Sequence, residues 1–176
     1  VEAAAIYRDV LTAVPHHTLA HLSLGRALAT LGDAEKAARH MELGSPLAAS
    51  PRAEACAAVG ATLADLGRAA EAEQWLTRAL EADPSHLYTL YNLGLLYGRL
   101  GRYDESLRIY ERALRVDPAF SEARNNLAAL LHRQGRSSEA LTHLRRIVSE
   151  DPGYTAARRN LAAVEAHLGV TNAPAP

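Results

Sequence analysis

LYTLYNLGLLYGRLGRYDESLRIYERALRVDP, residues 87–118, is the stretch on which the fold turns. Leu90, Leu93, Leu96, Tyr97 and Leu100 recur at helical spacing, and beyond Gly101 the same spacing resumes at Tyr103, Leu107, Tyr110, Ala113 and Leu114. A glycine just past a helix supplies the left-handed residue that closes its last turn, while a proline, here Pro118, cannot continue one. The stretch therefore predicts helix, tight turn, helix, turn. Nothing in it reads as a strand.

The same punctuation extends to both sides. Glycines stand at Gly32, Gly67, Gly101, Gly135 and Gly169, at steps of 35, 34, 34 and 34 residues. Pro84, Pro118 and Pro152 keep the step, with Asp117 and Asp151 before the last two and Pro15 as an earlier member. Small residues recur where two helix backbones must approach: Gly25, Gly60, Gly94, Ala128 and Ala162 on the first helices, Ala37, Ala72, Ser106 and Ala140 on the second. A larger side chain there would force the helices apart, at a cost of about 1–3 kcal/mol.

Leu90-x-x-Leu93-Gly94-x-x-Tyr97, then Ser106-x-x-x-Tyr110, Ala113 and Pro118, resembles the tetratricopeptide repeat. Leu127, Ala128, Leu131, Ala140, Leu144, Ile147 and Pro152 repeat the pattern, as do Val59, Gly60, Leu63, Ala72, Leu76, Ala79 and Pro84. The resemblance implies an all-α fold, an α-solenoid of antiparallel helix hairpins wound into a right-handed superhelix with a concave groove. A single array is expected over residues 1–169. It comprises the second helix of a truncated repeat (1–17), an irregular repeat (18–52), three regular ones (53–86, 87–120, 121–154) and a capping helix (155–169), with a flexible tail at 170–176.

Three departures modify this plan. Gly44-Ser45-Pro46 falls where a second helix should still run, so that helix is expected to stop early; an extra turn from Pro46 then leads to Ser50 and Pro51, a cap and first-turn pair. Ala3, Tyr7, Val10 and Leu11 match a second helix without its partner, leaving an apolar face uncapped. In the last helix Glu165 replaces Leu63, Tyr97 and Leu131 of earlier units, as expected of a stripe turned to water.

Composition narrows the partner class. The chain has 176 residues, 48% of them hydrophobic, and a formal net charge of −1 with interleaved signs. No basic footprint for nucleic acid or an anionic membrane is present, and no apolar run reaches the roughly 20 residues of a membrane-spanning helix. Cys56 is the single cysteine, which excludes an internal disulfide and reads as small core filler. Lys36 is the lone lysine against many arginines, a usage associated with GC-rich bacterial genomes.

The resemblance places ligand binding in the groove lined by first helices. Residues pointing away from the packed stripe are Tyr88, Tyr91, Asn92, Leu95 and Arg99, then Glu122, Asn125, Asn126, Ala129 and Arg133, then Ala156, Arg159, Asn160, Ala163 and His167. Asn92, Asn126 and Asn160 lie one period apart and would stack three amides, each with two donors and an acceptor for a peptide backbone. The row resembles the ladder in the repeat region of O-linked N-acetylglucosamine transferases, where amides hold an extended polypeptide; helix-to-helix hydrogen bonding is the alternative role. Tyr88, Tyr91 and Leu95 add an apolar patch, or pack on an adjacent helix. Arg99, Arg133 and Arg159 can receive carboxylates, although exposed arginines commonly form only weak, solvated pairs. The carboxylate clamp of chaperone-binding relatives needs lysines and a second asparagine where Tyr91 and Leu95 stand, which argues against that subclass.

No catalytic residue, cofactor or metal is expected. His17 and His21, one turn apart, lack a third ligand and read as a surface pair. The leading expectation is a module that binds a peptide or partner protein. The alternatives are the substrate-recruiting region of a glycosyltransferase-like enzyme and a scaffold that self-associates through the uncapped first helix.

Overall fold

The computed structural model describes residues 2–45 and 49–170. Ten helices occupy them, with no strand among the described residues: α1 (Glu2–Ala13), α2 (Thr18–Leu31), α3 (Ala34–Gly44), α4 (Pro51–Asp65), α5 (Ala69–Ala82), α6 (Leu87–Arg99), α7 (Tyr103–Val116), α8 (Ser121–Arg133), α9 (Ser137–Glu150) and α10 (Thr155–Leu168). The chain divides into two compact units, Val1–Leu96 and Tyr97–Pro176.

All five periodic glycines take positive φ, from 66° at Gly169 to 91° at Gly32. A side chain in that conformation crowds its own backbone, which is why the step is kept by glycine. After Gly67, Arg68 N–H bonds back to the Leu63 carbonyl at 2.9 Å, and Arg136 N–H does the same to Leu131 at 2.9 Å. These bonds satisfy the last carbonyls of one helix while the next one starts.

The proline turns rest on aspartate. Asp83 Oδ1 accepts from Ser85 N–H at 2.9 Å, Asp117 Oδ1 from Ala119 N–H at 2.8 Å, and Asp151 Oδ1 from Gly153 N–H at 2.9 Å. Asp83 thus makes before Pro84 the same turn that Asp117 and Asp151 make before Pro118 and Pro152.

In the first unit α1 packs on α2, α2 on α3, α3 on α4 and α4 on α5, and α2 also meets α4. In the second, α7 packs on α8, α8 on α9 and α9 on α10, and α8 also meets α10. First helices therefore touch one another as well as their own partners, the contact pattern of an α-solenoid. Leu24, Leu28, Met41, Val59, Leu63 and Leu76 are buried in the first unit; Tyr110, Leu127, Leu131, Leu144, Ile147 and Val164 are buried in the second. The small positions mark the closest approaches. A Cβ on Gly60 would come within 2.7 Å of Leu76 Cγ and 3.1 Å of Leu76 N, so α4 and α5 meet almost backbone to backbone. Ala162 is the exception and is exposed, because no described helix follows α10.

α3 ends at Gly44, after 11 residues where α5, α7 and α9 run for 14, in agreement with the early stop. Gly44 still belongs to the core: a Cβ there would meet Leu22 Cγ at 2.6 Å. The extra turn expected from Pro46 lies at 46–48, outside the described residues, as does the tail at 171–176. Ser50 occupies the cap position of α4, but its side chain makes no capping bond; Pro51 alone supplies the start signal. Glu165 corrects the sequence reading. It is buried at 9% exposure and pairs with Arg145 at 3.1 Å, because the stripe it occupies faces α9 and not water.

Candidate functional site

Each regular hairpin is clasped at its turn. Arg68 Nε and Nη2 donate to the two carboxylate oxygens of Glu71 at 2.7 and 2.6 Å, Arg136 holds Glu139 in the same fork at 2.7 Å, and Arg102 holds Glu105. The hydrogen bonds from Arg102 and Arg136 hold the Glu105 and Glu139 carboxyls below their ordinary range. The clasps fix the start of each second helix.

On the part of α6 that belongs to the first unit, Tyr88 is 67% exposed, while Tyr91, Asn92 and Leu95 are half-buried. The tyrosine is thus the projecting member of that face, with an amide and two apolar side chains lower down. Arg99 ends α6 and is exposed.

In the second unit α8 and α10 lie side by side, and their amides join across the gap. Asn160 Nδ2 donates to Asn125 Oδ1 at 2.9 Å. Asn125 corrects the sequence reading, which had it pointing outward: it is 7% exposed, since α10 covers it. Asn126 Nδ2 donates to the Tyr110 hydroxyl at 3.3 Å, tying α8 to α7. The amides in this unit therefore serve helix-to-helix bonding, and Asn160 reaches the neighbour of its period mate. Asn126 and Asn160 remain half-buried. Arg159 is exposed, and so is Arg133, whose guanidinium lies 4.7 Å from the Tyr103 ring centroid at the start of α7.

Two polar centres escaped the sequence reading. His21 and His17 are not a surface pair. His21 is 7% exposed, with Nδ1 2.9 Å from His40 Nδ1 and Nε2 2.9 Å from the Pro15 carbonyl, whereas His17 accepts from Ala20 N–H at 3.2 Å and caps α2. A carbonyl only accepts, so His21 carries its proton on Nε2 and the His40 Nδ1–H donates to the free Nδ1. Burial, then His21, lowers the pKa of His40. The second centre is Arg124, 5% exposed, whose guanidinium donates to the Pro118 carbonyl. Burial is the first cause of its lowered pKa and Arg146 the next. The available signal was register: His21 and Arg124 stand where Cys56 and Leu90 stand in their own repeats, and all four are buried.

Models of the tetratricopeptide repeat match residues 2–45 and 91–155, and a second such model matches 53–119. The chain belongs to the tetratricopeptide repeat family. A search of curated proteins returns no sequence match. Among solved structures the repeats resemble MamA, at 23% identity and TM-score 0.65 over 85% of this chain and 86% of that one. YrrB, described as a TPR protein with an unusual peptide-binding site, matches at 21% identity and TM-score 0.65 over 97% of this chain and 87% of its own. The first TPR of Spaghetti (RPAP3), bound to the HSP90 peptide SRMEEVD, matches at 20% identity and TM-score 0.65 over 68% and 98%. At these identities the likeness concerns the fold.

Proposed function

We propose that this chain is a protein-interaction module that takes a peptide segment of its partner against the outer face of its first helices. The observation that carries the reading is Tyr88, 67% exposed on α6 above the half-buried Tyr91, Asn92 and Leu95. A projecting aromatic ring with a polar tip, next to amides and apolar side chains, has the composition of an interface hot spot. Membership of the repeat family and the peptide-binding description of YrrB favour the same reading.

The mechanism is preorganisation. In the second unit the Arg136–Glu139 clasp and the Asn160–Asn125 bond fix α8, α9 and α10 before any ligand arrives, so less ordering entropy is lost on binding there. Selection from a displayed library of random dodecapeptides on the intact chain tests the proposal. Enriched peptides should bind Tyr88→Ala and Tyr91→Ala variants at least tenfold more weakly, about 1.4 kcal/mol per tenfold. Enriched peptides indifferent to both substitutions would remove this face from consideration.

A further inference from the structure

Within the units, one register pairs a first-helix residue with a second-helix residue 19 positions later: His21 with His40, Cys56 with Trp75, Arg124 with His143. In the first unit the pair His21–His40 satisfies itself at 2.9 Å, and Cys56 and Trp75 are both buried. Arg124 and His143 differ. They line one cleft of about 360 Å³, with Arg115 of α7 and Arg146 of α9 on its walls and α8 beneath.

Charge in this cleft is not balanced. Glu139 is held by Arg136 at 2.7 Å, and Arg146 is held by Glu150 at 2.8 Å. Arg115 and Arg124 have no carboxylate within ion-pair distance among the described residues. A guanidinium removed from water without a counter-charge is unfavourable, and an Arg124 held at 5% exposure by a single neutral carbonyl is in that position. His143 stands beside it as a second nitrogen donor. Its pKa is lowered first by burial and then by Arg124; Arg146 acts in the same direction, and Glu139 and Glu111 act against it.

We propose that this cleft is an oxyanion site, in which Arg124 and His143 take one carboxylate or phosphate group entering between α7 and α9. The planar guanidinium matches either group, and the burial of Arg124 means that a bound anion meets a cation already stripped of water. Glu111 and Glu139 on the walls repel a long polyanion, so the site suits a single compact head. The proposal does not depend on peptide binding at α6.

Imidazole correlation spectra of the intact chain provide the test, with sodium phosphate, sodium acetate and sodium chloride added at equal ionic strength. Phosphate or acetate should shift the His143 resonances saturably and raise its titration midpoint, since a bound anion favours the imidazolium; chloride should do neither. A response to phosphate alone, or to acetate alone, assigns the source. Arg124→Leu, which installs the side chain found at Leu90, should weaken the response at least about tenfold. Arg115→Gln, an exposed position, should weaken it with helicity unchanged. The absence of any saturable shift, a chloride response equal to the others, or a response undiminished in both variants would overturn the proposal. If Arg124→Leu fails to fold, Arg124→Gln, which keeps a donor for the Pro118 carbonyl and removes the charge, decides by the same criterion.

Discussion

His21 Nδ1 and His40 Nδ1 stand 2.9 Å apart, joining α2 to α3 through one shared proton, while His21 Nε2 is committed to the Pro15 carbonyl. This arrangement accommodates three protons on two rings, with the third on the far nitrogen of His40; a fourth sets N–H against N–H and breaks the contact.

The pH response follows with a definite sign. His40 and His143 both have folded-state pKa values below the ordinary histidine value, chiefly through burial. Below that ordinary value, about 6.5, the unfolded chain binds more protons than the folded one, so stability falls as pH drops from about 7 toward 5. Urea unfolding at pH 7.5 and 5.0 measures this, and a His40→Ala, His143→Ala double variant should show a smaller difference between the two. Asp33, Asp83, Glu105 and Glu139 act in a lower window. Their depressed pKa values, caused first by hydrogen bonds from Lys36, Ser85, Arg102 and Arg136, add stability above about pH 4.5 that is lost on further acidification.

Gly60→Ala and Gly67→Ala separate two roles of glycine. At Gly60 a methyl group meets Leu76 Cγ at 2.7 Å and Leu76 N at 3.1 Å, so α4 and α5 must part; the expected loss is about 1–3 kcal/mol despite the better helix propensity of alanine. At Gly67 nothing lies within 4 Å, and only the φ of 75° resists, at about 1 kcal/mol. Thermal melts should rank Gly60→Ala below Gly67→Ala. The reverse order would mean that the helices have slack at that crossing.

Asn125→Ala and Asn160→Ala should not cost the same. Removing Asn160 leaves the buried Asn125 carbonyl oxygen without its donor, a loss of about 1–3 kcal/mol, whereas removing Asn125 leaves a half-buried amide that water can reach. A double-mutant cycle on chemical denaturation should return a coupling above about 0.5 kcal/mol. Independent effects would show that the bond contributes nothing.

Glu165→Leu restores the residue type of Leu63 and Leu131 and should be neutral or stabilising. Arg145→Ala removes one partner of a mostly covered carboxylate and should destabilise; with Arg145 itself about half exposed, the loss is expected near 1 kcal/mol. Calorimetry of the two variants checks the contrast.

The fluorescein-labelled peptide SRMEEVD, bound by the first TPR of Spaghetti (RPAP3), should show no saturable polarisation change with this chain, because the sequence reading expects Tyr91 and Leu95 where a carboxylate clamp needs lysines and a second asparagine. Binding that Tyr91→Ala abolished would contradict that assignment.

The hairpins were legible because their punctuation is local: a glycine forced to positive φ and a proline after an aspartate act within a few residues, whatever lies across the interface. The amide row was legible only in part. Period alone aligned Asn126 with Asn160, but which amide meets which depends on the offset between α8 and α10, and a shift of one residue delivered Asn160 to Asn125. Glu165, His21 and Arg124 were misread or passed over for a related reason. Each is a polar residue in an apolar register, and burial there depends on a partner — Arg145, His40 or the Pro118 carbonyl — that no periodicity announces.

Among the described residues, the main helix contacts within each unit join a helix to the next one or the next but one. Such a molecule lacks a keystone. Drawn out from its ends at a steady speed, it should yield in a sawtooth of small force drops, surrendering one hairpin after another and re-stowing them when the tension is released.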